Sequence, residues 1–166
     1  MATTRLMSAD DLLQLAGEGE RFELIRGELQ HVSPSGMRSS VIGLRIASRL
    51  ARFVDTNKLG LVTAADGGYV IERDPATVLA PDIGFVRASR LLAGSLPEGY
   101  FPGPPDLAVE VLSPTDRPGD VARKVALYHA AGVAQVWRVD PRARTNTVSQ
   151  PEGEPRVLTE TDVLDG

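Results

Sequence analysis

The sequence predicts an α/β fold, in which helices pack on a mixed β-sheet, and three observations lead to this prediction. Residues 39–54 carry apolar side chains three and four positions apart, the spacing of an amphipathic helix. Residues 107–112 are an apolar stretch of strand length, and residues 117–131 after it have the composition and the ends of a helix. An apolar strand is predicted next, at 133–139. Strands that alternate with helices indicate a sheet with helices packed on it.

The remaining predicted elements are shorter. Ser8 is a suitable N-cap for a helix at 9–16. Residues 22–32 predict a hairpin, with strands at 22–25 and 28–32 around an Arg-Gly turn. The region 93–105 is rich in proline and glycine and predicts a long irregular loop. Further short strands are predicted at 61–64, 68–71, 81–86, 145–148 and 156–158.

Two local details accompany the predicted helices. The buried stripe of the helix at 39–54 is expected to consist of Ile42, Ile46, Leu50 and Phe53. Asp116 is expected to be the N-cap of the helix at 117–131.

Composition limits the class of protein. The chain has 166 residues, of which 42% are hydrophobic and 24% charged, so we expect one globular domain over residues 1–166. It has neither an apolar stretch of about 18 residues nor a secretory signal, so we expect a cytoplasmic protein without a membrane span. The absence of cysteine excludes disulfides and thiolate metal sites. The net charge of −4 argues against coating nucleic acid by bulk charge, although a nuclease with metal-binding acids remains compatible.

Two carboxylates lie in strands that are expected to be buried. Glu110 interrupts the apolar run of 107–112, where an ionised side chain is costly unless it is paired or binds a metal. Asp82 begins another apolar strand. If these strands are neighbours, the two negative charges favour a cation between them. Oxygen ligands without Cys or His favour a hard ion such as Mg²⁺ or Mn²⁺. A salt bridge to a buried Arg or Lys, or an ordinary Pro-Asp turn, is the structural alternative.

Other polar residues are candidates for the same site. Lys124 and Tyr128 are four residues apart and share one face of the predicted helix at 117–131. The Lys124 ammonium could orient a water or stabilise a charged transition state, or it could simply extend into solvent. Glu23 or Glu28 on the hairpin could supply a third metal oxygen, or both could be solvated.

Other kinds of site are poorly supported. His31 and His129 do not have the spacing of zinc ligands. The sequence contains no Gly-rich phosphate loop and no G-x-S-x-G nucleophile motif.

Taken together, several segments resemble the Uma family of restriction-endonuclease-like proteins, which lies within the PD-(D/E)xK nuclease superfamily. The similarity extends over roughly residues 5–148, and the segments that carry it are 22–28, 81–82, 104–114, 124–128, 131–133 and 136–141. The resemblance implies a central mixed sheet flanked by helices, hydrolysis of phosphodiester bonds with a divalent metal, and a homodimer. Similar proteins tend to run further at the carboxyl end, so we expect that a C-terminal element is lacking.

The resemblance also implies roles for individual residues. Asp82 matches the motif aspartate, and Glu110 matches the second acid of the family. The usual lysine position, two residues after that acid, is Leu112 here, and Lys124 matches a lysine that replaces it from the following helix. Glu23 or Glu28 matches an additional acid near the start of such nucleases. Ser113 is a candidate for hydrogen bonding within the site.

The resulting prediction is a metal-dependent endonuclease that acts on nucleic acid, in the first place DNA. Asp82 and Glu110 would bind the metal, and Lys124 would act beside it. Arg45 and Arg49 of the helix at 39–54 would contact the DNA backbone, if they do not simply form a solvated face. The alternatives are an inactive interaction module, a partner-dependent subunit, or a small-molecule binding domain that uses loop 93–105 as a lid.

Overall fold

The structure is a computed structural model, and it describes residues 6–15, 21–91 and 96–163. Three α-helices lie within these ranges: α1 (Ala9–Leu15), α2 (Met37–Thr56) and α3 (Pro118–Ala130). The strands are β1 (Phe22–Ile25), β2 (Glu28–His31), β3 (Gly60–Ala64), β4 (Tyr69–Arg73), β5 (Ala76–Leu79), β6 (Ile83–Arg87), β7 (Phe101–Pro102), β8 (Leu107–Val111), β9 (Gln135–Asp140), β10 (Thr145–Ser149) and β11 (Arg156–Leu158).

The strands form two mixed sheets. The six-stranded sheet has the order β11-β10-β9-β8-β6-β3, and only its β8–β9 pair is parallel. The five-stranded sheet has the order β2-β1-β5-β4-β7, and only its β4–β7 pair is parallel. The predicted α/β fold with mixed strands and packed helices is therefore confirmed, with its strands divided between two sheets.

The two faces of β8 pack against different parts of the protein. Leu107, Val109 and Val111 belong to the apolar cluster that includes residues of α2. Ala108 belongs instead to a cluster with Tyr128 of α3. Because successive side chains of a strand point to opposite faces, α2 and α3 cover opposite faces of the six-stranded sheet. Even-numbered positions of β8 therefore face α3.

The β1–β2 hairpin fixes how its side chains are placed. Its turn consists of Arg26 and Gly27, which have φ values of 52° and 76°. Positive φ at both central residues defines the tight turn that matches the twist of paired strands. The register that follows places Glu23 opposite Gln30.

The expected stripe of α2 is correct at three positions and wrong at the fourth. Ile42, Ile46 and Leu50 pack against the cluster that covers β8. Phe53 is 58% exposed, whereas Val54 is 2% exposed. The buried side chains continue at steps of four to residue 54, and residue 53 lies about 100° away around the helix.

Of the two predicted N-caps, one is confirmed and one is wrong. The Asp11 backbone N–H donates to the Ser8 hydroxyl at 3.1 Å, and the Ser8 N–H donates to the Asp11 carboxylate at 2.8 Å. The N-cap of α3 is Arg117, not Asp116. The Asp116 carboxylate instead accepts the backbone N–H of Ser113 at 2.7 Å, in the turn that precedes the helix.

Strand β5 has no counterpart among the predictions. All four of its residues are buried, so the sequence shows no alternation of polar and apolar positions, and the run is too short to stand out. Strand β7 lies inside the predicted loop 93–105 and is only two residues long. Residue 16 of the first predicted helix and residues 93–95 of that loop lie outside the described ranges.

Within the described ranges, none of the helices combines the length and the apolarity that a bilayer crossing requires.

Because Val54 and not Phe53 is buried in α2, substitutions at these two adjacent positions should lower the free energy of unfolding by different amounts. Val54→Ala removes two buried methyl groups and should lower the free energy of unfolding by about 2 kcal/mol. Phe53→Ala changes an exposed position and should stay within about 0.5 kcal/mol of the wild type. Urea denaturation of both variants tests the assignment, and a larger loss for Phe53→Ala would contradict it.

Candidate active site

A cleft of about 460 Å³ lies between α3, the β1–β2 hairpin and the ends of β6 and β8. Four of the charged residues predicted for the site line it: Glu23, Asp82, Glu110 and Lys124. They come from four different elements or their immediate ends. The fold therefore brings together residues that are up to 101 positions apart in the sequence.

The pairing of β6 with β8 explains why Asp82 lies beside Glu110. Ile83 is the Cα partner of Val109 in this antiparallel pair, so the next position places Asp82 across from Glu110. The Asp82 carboxylate also accepts the backbone N–H of Val111 at 2.7 Å. Glu110 lies on the α3 face of the sheet, as its position in β8 requires.

The side chain of Lys124 connects the two sheets. Its ammonium lies 2.9 Å from Glu110 Oε1 and 3.1 Å from Glu23 Oε1. The three side chains are only 22%, 14% and 8% exposed for Lys124, Glu110 and Glu23, respectively. Charges removed from water in this way are stable only when paired and hydrogen-bonded, and here one cation serves two carboxylates.

In each of the three carboxylates, those of Glu23, Asp82 and Glu110, one oxygen accepts hydrogen bonds from the protein. Glu110 Oε1 accepts the Tyr128 hydroxyl at 2.8 Å as well as the Lys124 ammonium. Glu23 Oε1 accepts the backbone N–H of Ala80 at 2.8 Å. Asp82 uses Oδ2 for Val111. Within the described part of the chain, the second oxygen of each carboxylate has no hydrogen-bond donor, so it is available to a ligand.

The buried site changes the acidity of its members. Burial raises the pKa of Glu110 to about 7, against the opposing effect of Lys124. Burial also raises the pKa of Asp82, although the Val111 N–H favours the ionised form. Burial by itself would lower the pKa of Lys124, but the carboxylates of Glu110 and Glu23 outweigh it and raise that pKa. Lys124 is therefore a permanent cation at neutral pH, and it cannot be a general base.

The donor chemistry of the site fits a hard divalent cation. Asp82 and Glu110 offer free carboxylate oxygens on neighbouring strands, and Mg²⁺ is commonly held by one or two carboxylates with water and substrate oxygens completing its shell. Among the residues that the structure describes, no group of three or more His, Cys, Asp or Glu side chains is placed to hold a metal ion. Asp82 and Glu110 are the two residues that could hold such an ion.

Other predicted residues lie at the edge of this site or away from it. Tyr128 is fully buried and contacts Glu110 directly. Ser113 lines the cleft, but its hydroxyl pairs with the Thr115 hydroxyl at 2.8 Å. Glu28 is exposed beside the hairpin turn and does not line the cleft. Arg45 and Arg49 are exposed on α2, which covers the face of the sheet opposite to Glu110.

Sequence reasoning missed several residues that line the cleft. Gln30 lies opposite Glu23 in the hairpin, and the strand register could have identified it. Arg21, Arg117 and Arg123 line the walls. Nothing in their local sequence distinguishes these arginines from ordinary surface residues, because their position depends on how α3 meets the hairpin.

Comparison with known proteins agrees with this architecture. The crystal structure of a nuclease from Anabaena variabilis ATCC 29413, described as putative and as belonging to DUF820, superposes with a TM-score of 0.79. It is 22% identical in sequence, and the match covers 96% of this chain and 88% of that chain. No curated protein matches the sequence.

The fold is of the restriction-endonuclease-like α/β class. Residues 9–166 match the family model of Uma2, which is described as "Putative restriction endonuclease". The chain belongs to the Uma2 family, and the resemblance seen in the sequence is confirmed.

The raised pKa of Glu110 predicts a characteristic dependence of stability on pH in the presence of a chelator. The folded protein keeps the Glu110 proton up to about pH 7, whereas the ordinary pKa of this carboxyl is 4.5. The stability contributed by this proton is therefore complete below pH 4.5 and is lost as the pH rises to about 7. Glu110→Gln stays neutral, so over this range its free energy of unfolding should rise relative to that of the wild type.

Urea denaturation at several pH values measures this difference. Glu28→Gln, which removes an exposed carboxylate outside the cleft, is the matched control. A difference between Glu110→Gln and wild type that stays constant over this range would contradict the raised pKa.

Proposed function

We propose that this protein hydrolyses phosphodiester bonds of nucleic acid, in the first place DNA, and that it does so with Mg²⁺ or Mn²⁺ bound by Asp82 and Glu110. The observation that carries the proposal is the convergence of Asp82, Glu110 and Lys124 in one cleft. Membership of the Uma2 family, whose description is "Putative restriction endonuclease", supports the same class of reaction. When bound, the divalent cation would supply Lewis-acid activation of the phosphate and of the attacking water.

The residues of the chain have separate roles in this proposal. Asp82 and Glu110 would hold the cation through their free oxygens, while their other oxygens are fixed by Val111, Tyr128 and Lys124. Lys124 keeps its proton, so it orients the water and offsets the negative charge that develops on the phosphate. Glu23 holds Lys124 in position from the opposite wall.

The position of Lys124 supports an active site despite the departure at Leu112. The family motif would place a lysine two residues after Glu110, where this chain has an apolar residue. Lys124 reaches the Glu110 carboxylate from α3 at 2.9 Å. An ammonium thus stands beside the second acid although it comes from a different element, and we infer that it takes the function of the motif lysine.

Removing either proposed metal ligand should abolish most of the activity. For Glu110→Gln and Asp82→Asn we expect cleavage of plasmid DNA with Mg²⁺ to fall by at least about 100-fold, because each change removes a charged ligand. A gel assay with increasing Mg²⁺ or Mn²⁺ measures the loss. Glu28→Gln should cleave at the wild-type rate.

Calorimetry separates this proposal from an inactive interaction module. The wild type should bind Mg²⁺ or Mn²⁺, and Glu110→Gln should bind it much more weakly. A folded wild-type protein that neither binds these ions nor cleaves DNA or RNA would refute the proposed function.

Tyr128 is a positioning residue, and its hydroxyl can be removed alone. In Tyr128→Phe, Glu110 Oε1 loses one of its two donors. We expect about 10- to 100-fold weaker metal affinity, the usual effect of losing a partner of a metal ligand. The maximal rate should largely recover at saturating Mn²⁺, because the ligand itself remains. A variant with normal metal affinity and a lower maximal rate would show that Tyr128 acts in another way.

A further inference from the structure

Two arginines on the wall of the cleft have no side-chain partner among the residues that the structure describes. Arg117 is the N-cap of α3, Arg123 lies in the same helix, and both line the cleft beside Lys124. Both are exposed. Neither guanidinium forms a hydrogen bond or an ion pair within residues 6–15, 21–91 and 96–163. Their donors are therefore free at the place where a substrate would lie.

Several other arginines are held by the protein itself. Arg21, on the opposite wall of the cleft, lies 2.9 Å from Asp66 and donates to the Ala65 carbonyl at 2.6 Å. Arg87 and Arg90 both pair with Asp106. Among the described residues, the guanidinium groups of the cleft that lack a partner are thus those of Arg117 and Arg123.

The distance between Arg117 and Arg123 along α3 is compatible with binding to separate phosphates of one nucleic-acid strand. Arg117 and Arg123 are six residues apart, which is about 9 Å along a helix axis. Phosphates of one nucleic-acid strand advance about 3.4 Å per nucleotide along its axis, so the two arginines would reach different phosphates. Guanidinium groups bind phosphate oxygens through paired hydrogen bonds.

We propose that Arg117 and Arg123 hold the sugar-phosphate backbone of the substrate strand in the cleft. This inference rests on the proposed function, because it specifies how the same site holds its substrate. Arg45 and Arg49, which the sequence suggested for this role, lie on α2 across the sheet, so they do not contact the strand held at Glu110.

A substitution of Asp120, on the same wall of the cleft, should change affinity for nucleic acid in the opposite direction to the arginine substitutions. It is exposed, lines the cleft and lies between the two arginines in the sequence. Its carboxylate would repel a phosphate chain held there, so Asp120→Asn should bind nucleic acid more tightly than the wild type. A gain of affinity cannot result from misfolding.

The experiment measures binding of labelled duplex DNA and single-stranded RNA by fluorescence anisotropy at several NaCl concentrations. Ca²⁺ replaces Mg²⁺, and a gel confirms that the probe stays intact. Arg117→Gln and Arg123→Gln should each weaken binding several-fold and lower the slope of log affinity against log salt by about one, and the double variant by about two. Arg45→Gln and Arg49→Gln are the matched controls and should leave both quantities unchanged.

The outcomes separate this inference from the proposed function. If the two α3 variants keep wild-type affinity and salt dependence while the wild type still cleaves nucleic acid, the inference is wrong and the proposed function stands. If the wild type neither binds nor cleaves either probe, both are wrong. The probe that the wild type binds more tightly, with loss in the α3 variants, identifies DNA or RNA as the preferred backbone.

Discussion

The ammonium of Lys124 is the interaction on which the geometry of the cleft depends. It lies between Glu110 in the six-stranded sheet and Glu23 in the five-stranded sheet, at 2.9 and 3.1 Å. Two carboxylates this well buried would repel each other without a cation. Lys124 therefore fixes the positions of both sheets relative to α3. Loss of one member of such a group leaves a buried charge without compensation, which is costly.

Because side chains alternate between the two faces of β8, the strand can place residues in the core and a carboxylate in the cleft. Val109 and Val111 face the α2 layer, where they are 0% and 4% exposed, and they fix the strand in the core. Glu110 between them faces α3, where the cleft opens. The same strand thus contributes its odd positions to stability and an even position to the site. A rigid scaffold of this kind can hold a carboxylate to the tolerance that metal binding requires.

The sequence predicted the acids and the lysine of the site, but it could not predict their surroundings. Glu110 was recognisable because an acid within an apolar strand requires a compensating partner. The contact of Lys124 with Glu110 follows from the packing of α3, which helical spacing alone does not determine. For the same reason the sequence pointed to Arg45 and not to Arg117, although of the two only Arg117 lines the cleft. Strand β5 was missed because its four residues are all buried and show no periodicity.

The distribution of charge in the cleft removes the objection that an acidic chain should avoid nucleic acid. Five carboxylates line the cleft together with three arginines, one lysine and His31, so the cleft by itself is close to neutral. The two carboxylates proposed as metal ligands would be neutralised by one divalent cation. The remaining charge would then be positive, and Arg117 and Arg123 line the same cleft. The net charge of −4 therefore describes the surface as a whole, whereas affinity for a phosphate chain would depend on the local field of the cleft with the proposed cation bound.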